Sequence, residues 1–461
     1  MNPLARKTNR LVFTPSRARS QVTMPSVLMM FALVVFGGLA SRANANESDG
    51  AVIVEWNQLF QRYVAGPPFL QARGYAMLQI AMADAVLAIK PRYTPFRVDT
   101  WSSHGASAEA AGAQAGHDVF FGLITAPAGL AAADALLASR LATIPARRQL
   151  HGIAVGHKVA EKILTWRQYD GYATANPQPS TILASTLPGI WRPTATGSAQ
   201  FSDIGNVTPF GLPTPTYFLP TAFPQLDSPA YATAVNEVKD VGRATGANRT
   251  LEQTRFAQLF AGVGTFANAT SPFRLWSNVA RDLSQQKLMS LESTARLFAL
   301  TMASVHDSLQ SSHASKFTYR LWRPETAIAN ADVDNNSATV AEPGWAPLIP
   351  TPPYPAYASN MTCIGTGAAR MLANVLGSDA QAFIATWYTA ANAVVWAQPY
   401  TSLWKLGDDQ ANSRIWGGIH FRFDIDEAQA SCTRVADYLY DNFMLPDDEH
   451  DRGDHDDHHH R

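Results

Sequence analysis

Lys316 and Arg323 stand seven residues apart in the run Lys316-Phe317-Thr318-Tyr319-Arg320-Leu321-Trp322-Arg323-Pro324. About ninety residues later the chain reads Ser413-Arg414, then Gly418, His420 and Asp424. Arginine meets a tetrahedral oxyanion as a planar fork, and lysine adds a compact point charge. Three such cations, with a histidine and a carboxylate four residues beyond it, describe a pocket for phosphate, or for vanadate of similar shape and charge. Ser359 can add a hydroxyl donor. The amides from Asn360 to Thr362 open a predicted helix, whose N-terminus favours an anion.

Each of these residues has a plainer reading. Two cations seven apart are common on a helix surface, but Trp322 and Pro324 mark a chain that is turning. Trp191-Arg192-Pro193 repeats the tripeptide with Ser185 where the lysine would stand, so that copy reads as structural. A histidine beside a glycine pair is more often structural. Asp424 alters the balance for His420, because one helical turn brings its carboxylate to the imidazole. It would fix the tautomer and leave the other nitrogen free to attack or ligate. Arg422 and Asp426 read as surface or salt-bridge residues.

Helices must position these groups. Leu291, Ala295, Phe298, Met302, Val305 and Leu309 recur at steps of four and three, one apolar face that leads into Lys316. A second helix is expected from near Thr362 to Leu376, stopped by Gly377, with Gly365, Gly367, Ala368 and Ala369 allowing close approach. A third is expected from Asp426 to Phe443. Further helices are expected over 70–90, 106–122, 147–169, 229–243 and 250–262. Residues 172–228, rich in Pro, Thr, Ser and Gly, read as a long irregular segment over the surface. No run alternates as a strand would, and no internal repeat is evident.

The 461 residues are 46% hydrophobic and only 16% charged, against a typical charged share of about 25%, which suits a large helical core. A formal net charge of -1 argues against nucleic acid as a partner. Arg6, Lys7, Arg10, Arg17 and Arg19 precede an apolar run from Val27 to Ala40, and Ala43-Asn44-Ala45 offers a small-residue cleavage site. This is a secretory leader pattern. Its apolar run falls short of the roughly twenty residues of a membrane span, so no stable membrane insertion is expected after cleavage. The organisation expected is a leader over 1–45, one helical domain over 46–446, and a disordered Asp/His-rich tail over 447–461. The location expected is periplasmic or secreted. There Cys363 and Cys432 can either pair or remain as two buried thiols.

The motifs resemble those of the superfamily of type-2 phosphatidic acid phosphatases and vanadium-dependent haloperoxidases. Its pattern is Lys-x6-Arg-Pro, then Pro-Ser-Gly-His, then Ser-Arg-x3-Gly-x-His-x3-Asp. The first is matched at Lys316, Arg323 and Pro324, and the third at Ser413, Arg414, Gly418, His420 and Asp424. Pro352-Pro353-Tyr354-Pro355, Ala81-Met82-Ala83-Asp84-Ala85, Gly189-Ile190-Trp191-Arg192-Pro193 and Asn248-Arg249-Thr250 with Gln253 look like the exported bacterial haloperoxidase-like branch, so the resemblance covers most of 50–445. It implies an all-α fold of helical bundles with the oxyanion in the bundle core. Lys316, Arg323, Ser359, the Asn360 amide and Arg414 would hold vanadate, and His420 would bond the vanadium, or attack phosphorus in a phosphatase. Lys316 would polarise the peroxide and Asp424 would orient His420.

The middle motif departs from the pattern. Ala358-Ser359-Asn360-Met361 stands where the family has Pro-Ser-Gly-His, so the acid/base histidine is replaced by methionine. Such a group typically contributes about 10²–10⁴-fold. His306 and His313 are the candidates to replace it, although both read more simply as helix histidines bonded to neighbours. The activity expected is a vanadate-dependent, haloperoxidase-like oxidation of halide or a small organic substrate by hydrogen peroxide, impaired by Met361. The alternatives are an acid phosphatase with a phospho-His420 intermediate, with phosphate in place of vanadate, and a non-catalytic phosphate- or vanadate-binding protein.

Overall fold

The computed structural model describes residues 49–100, 105–175, 185–194, 199–267, 271–389 and 391–447. The expected leader over 1–45 and the tail beyond Asp447 lie outside the described residues.

Helices dominate, as expected for an all-α fold. The first group is α1 (Ala51–Tyr63), α2 (Pro68–Leu87), α3 (Ala108–Leu123), α4 (Pro127–Leu141), α5 (Ala146–Gln168) and the short α6 (Tyr172–Ala175). Then come α7 (Pro229–Val241), α8 (Leu251–Ala261) and α9 (Pro272–Gln286). The last group is α10 (Leu291–Tyr319), α11 (Pro324–Ala329), α12 (Asn360–Leu376), α13 (Leu403–Trp416) and α14 (Arg422–Asn442). Local chemistry sets many of the starts. Pro68, Pro127, Pro229, Pro272 and Pro324 each open a helix, where proline's fixed φ and missing N–H cost nothing. Ser107, Ser228, Thr250, Ser290, Ser359 and Ser402 cap N-termini with their hydroxyl oxygens.

The structure corrects the expected elements in four places. Helices α1, α4, α9, α11 and α13 were not anticipated. Helix α14 starts at Arg422, four residues before Asp426, because the Asp424 carboxylate caps the Phe421 amide at 3.0 Å. Residues Phe383–Tyr388 (β1) and Val394–Tyr400 (β2) form an antiparallel hairpin. Only one face of β1 is buried, through Phe383, Ala385 and Trp387. The irregular 172–228 segment does not stay at the surface, since Trp191, Ile204, Val207 and Phe210 are buried in it. Its repeated tripeptide serves as an anchor. Trp191 donates its amide to Arg320 O at 2.7 Å, and Trp322 donates to Gly189 O at 2.9 Å, so the decoy segment braces the chain that carries Arg323.

Helix α10 is the central element, packed against α2, α12 and α14. All six residues of its predicted apolar face are buried. Close approach to α12 depends on Gly367, where a Cβ would lie 2.5 Å from Ser308 Oγ. A disulfide joins Cys363 of α12 to Cys432 of α14. One large apolar cluster runs through α1–α3, α9, α10 and α12. A smaller one, built on Tyr231, Trp322, Tyr357, Ile415 and Phe421, backs the residues described next. Among the described residues no helix is long and apolar enough to cross a membrane.

Candidate oxyanion site

Lys316 lies in the last turn of α10, Arg323 at the N-cap of α11, Ser359 and Asn360 at the start of α12, Arg414 near the end of α13, and His420 just before α14. Five helix ends thus meet at one place. Gly418 makes the turn from α13 to His420 possible. Its φ is +82°, and a Cβ there would run into the Gly242 carbonyl oxygen.

The structure brings these side chains together. Arg323 Nη1 donates to His420 Nε2 at 3.1 Å and to Ile419 O at 2.8 Å. His420 Nδ1 lies 2.7 Å from Asp424 Oδ2. A guanidinium can only donate, so Nε2 is an acceptor and the ring proton sits on Nδ1, shared with Asp424. Lys316 Nζ donates to Ala356 O at 2.6 Å and to Ala358 O. The Lys316 amine and the Arg323 guanidinium both lie against the Tyr354 ring, 5.5 and 5.1 Å from its centroid. Ser359 Oγ accepts from Thr362 Oγ1 at 2.9 Å, which leaves its own proton to donate.

A cavity of about 310 Å³ opens onto this group. Asn360, Arg414 and His420 are its polar lining residues, and Met361, Phe69, Phe201, Phe260 and Phe273 are among its apolar ones. The wall comes from helix ends and loops remote in sequence from the motifs, and no motif announced it. Tyr354 is a cavity residue that sequence reasoning placed only as part of a proline-rich lead-in.

The electrostatics favour an anion. Lys316 and Arg323 are fully buried and share the single Asp424 carboxylate, while Arg414 feels the like charge of Arg323. Burial, then Arg323, holds the Lys316 amine well below its usual range. Burial brings both arginines down to about 10, so they remain charged at neutral pH. Burial, then the charges of Arg323, Lys316 and Arg414, holds His420 well below its ordinary value, so its Nε2 stays unprotonated, an acceptor for Arg323 in the free site. Burying cations without matching counter-charge is costly. Arg323 Nη2 and Arg414 Nε are buried and have no hydrogen-bond partner. These orphaned donors fit an oxyanion, and the one imidazole lone pair fits bonding to its central atom. Vanadate meets both conditions. No group of three or more His, Cys, Asp or Glu side chains among the described residues could hold a metal cation, and the charge here has the wrong sign for one.

The reserve candidates lie elsewhere in function. His306 Nδ1 lies 2.9 Å from Asp307, whose carboxylate accepts from the amides of Phe210, Gly211 and Leu212. That pair pins the irregular segment. His313 lies closer to the site. Asn360 Nδ2 donates to His313 Nδ1 at 3.1 Å, and Ser312 Oγ donates to Asn360 Oδ1 at 2.8 Å. Burial, then Lys316, pushes the His313 imidazole down to about 3, so it is neutral and a poor proton carrier. The Asn360 side chain is therefore a clamp between α10 and α12, a role that the family's glycine could not fill.

Residues 296–446 match the family model described as the VCPO second helical-bundle domain. No curated protein matches the chain. The fold is similar to that of a bacterial vanadium-dependent iodoperoxidase, with a TM-score of 0.73 and 22% identity over 88% of this chain and 100% of that one. It is also similar to a bacterial vanadium-dependent chloroperoxidase in its apo form, with a TM-score of 0.62 and 15% identity over 82% of this chain and 94% of that one. The holo form gives a TM-score of 0.59 and 15% identity, over 81% and 92%. The described chain thus has the all-α architecture of the vanadium haloperoxidases. Within it, residues 296–446 are similar to that family's second helical-bundle domain.

Proposed function

We propose that this protein is a vanadate-dependent, haloperoxidase-like oxidoreductase that uses hydrogen peroxide to oxidise halide or a small apolar organic substrate. One observation carries the reading. His420 presents an unprotonated Nε2, oriented by Asp424, beside buried guanidinium donors that lack partners. Vanadate, when bound, would supply the electrophilic activation of peroxide. Arg323, Arg414, Ser359 and the Asn360 amide would hold its oxygens, and His420 Nε2 would bond the vanadium. Lys316 would turn its Nζ from the Ala356 and Ala358 carbonyls toward the anion and stabilise charge developing on peroxide oxygen. The apolar wall excludes bulk water, which strengthens each of these interactions.

Met361 cannot move a proton, so turnover is expected to be slower than binding would suggest. The leader pattern and the Cys363–Cys432 disulfide support an exported, periplasmic or secreted, protein.

A paired assay on one preparation tests the proposal. Iodide and bromide oxidation are measured with peroxide after vanadate loading, and p-nitrophenyl phosphate hydrolysis is measured without vanadate. Vanadate-dependent halide oxidation is the expected result. Hydrolysis alone would make the protein a phosphatase, and vanadate affinity with neither activity would make it a binding protein.

A further inference from the structure

We infer that Met361 is a redox modification site of this pocket, its thioether converted to the sulfoxide by peroxide handled there. The inference rests on the peroxide-dependent function proposed above.

Met361 sits in the first turn of α12, part-exposed, and lines the same cavity as His420 and Arg414. Gln410 Nε2 donates to its backbone oxygen at 2.7 Å, and Trp276 Nε1 holds Gln410 Oε1 at 2.9 Å, so the backbone that directs this side chain is fixed. The other methionines of the described residues supply a comparison. Met77, Met82, Met302, Met371 and Met444 are buried at 2% exposure or less. Met289 is part-exposed like Met361, but it lines a separate cavity with Asp49, Gln285, Leu288 and Thr294, where no cation is present. Peroxide from bulk solution would reach both part-exposed sulfurs. Peroxide activated at the oxyanion site would reach only Met361.

The reaction balances without a further reagent. A sulfur lone pair attacks one peroxide oxygen, an S–O bond forms and the O–O bond breaks. The other oxygen leaves as water with both hydrogens. Sulfur loses two electrons and peroxide gains them. The product places a polar acceptor oxygen in a cavity where Arg414 Nε lacks a partner. It would draw that donor away from the oxyanion, so the modified site binds oxyanion more weakly. That weaker binding would make the change self-limiting, and dedicated reductases can reverse a sulfoxide.

The test uses the full-length protein with vanadate, with phosphate, and with neither. Each sample is exposed to hydrogen peroxide without halide, and oxidation of each methionine is followed by peptide mass mapping. In the vanadate sample Met361 should gain one oxygen at least about tenfold faster than Met289, as proximity to the activated oxidant implies. The other two samples should show no such preference. Vanadate affinity of the wild type should fall after treatment, while that of Met361→Leu should stay at its own starting value. Equal rates at Met361 and Met289, independent of vanadate, would overturn the inference. So would a preparation that oxidises halide yet spares Met361, and in that case the proposed function stands. A preparation that neither binds vanadate nor oxidises halide would sink both.

Discussion

Arg323 and His420, 97 positions apart in the chain, meet through a single hydrogen bond of 3.1 Å from guanidinium Nη1 to imidazole Nε2. This contact settles which ring nitrogen is bare. The bare nitrogen faces the cationic cradle and the protonated one faces Asp424, the arrangement required of a neutral imidazole that donates its lone pair to an electrophilic centre.

Replacing Asp424 should therefore weaken oxyanion bonding more than it disturbs the fold. Loss of such an outer partner costs about 10–100-fold in a metal site. Asp424 Oδ2 serves both the His420 ring and the Phe421 amide, so Asp424→Asn keeps the shape and that acceptor but removes the charge, whereas Asp424→Ala removes both contacts. Vanadate titration by calorimetry, with circular dichroism for the fold, is the measurement. Undiminished affinity would remove Asp424 from its orienting role.

Met361→His should raise the vanadate-dependent oxidation rate, by up to about 10²–10⁴-fold, with a much smaller change in vanadate affinity. The Asn360 side chain, held by Ser312 and His313, fixes the loop in its own way. The full gain is expected only with Asn360→Gly added. A vigorous wild-type enzyme on which Met361→His has no effect would place the proton donor elsewhere, with His313 the nearest candidate.

Oxyanion binding should take up a proton. The Lys316 amine is depressed in the free protein, and an adjacent anion raises it toward the ordinary value of 10.5. The bound state then carries more protons between the two values, so affinity falls as pH rises through the depressed value. Calorimetry in two buffers of different ionisation enthalpy reads the uptake directly. Lys316→Arg keeps the charge without the titration, so it should bind phosphate with less proton uptake than wild type. Identical uptake in the two proteins would assign the proton to another group.

The Cys363–Cys432 bridge closes a sequence separation of 69 residues. A loop of that size restricts the unfolded chain by about 4 kcal/mol in the chain-entropy treatment. Cys363→Ala with Cys432→Ala should lower Tm by several degrees. Because the bridge ties α12 to α14, it should also loosen the spacing between Ser359 and His420. A Tm unchanged from wild type would show that packing alone holds these helices.

Much of the candidate site was legible in the linear chain, because the chemistry it would do depends on side-chain type at short spacing. Lys316 and Arg323, Arg414 and His420, and His420 with Asp424 each lie within seven residues, so the helix end or short turn between them positions each pair. The same locality made the apolar face of α10 and the Gly377 stop of α12 readable. The cavity was not readable. Phe69, Phe201, Phe260 and Tyr354 reach it from α2, an irregular loop, α8 and a proline-rich turn, and burial there depends on long-range packing that carries no sequence spacing. The β hairpin escaped notice because β1 does not alternate in residue type, its exposed Ile384 being as apolar as its buried neighbours, and its partner strand is mostly exposed or part-exposed. Asn360 is the sharpest case. In sequence it is a glycine lost from a motif, whereas in the fold it clamps α10 to α12. Residue type thus declared an affinity for an oxyanion, while tertiary structure decided which nitrogen of His420 is bare, which donors lack partners and what shares the cavity with them, since those depend on groups brought together from across the chain.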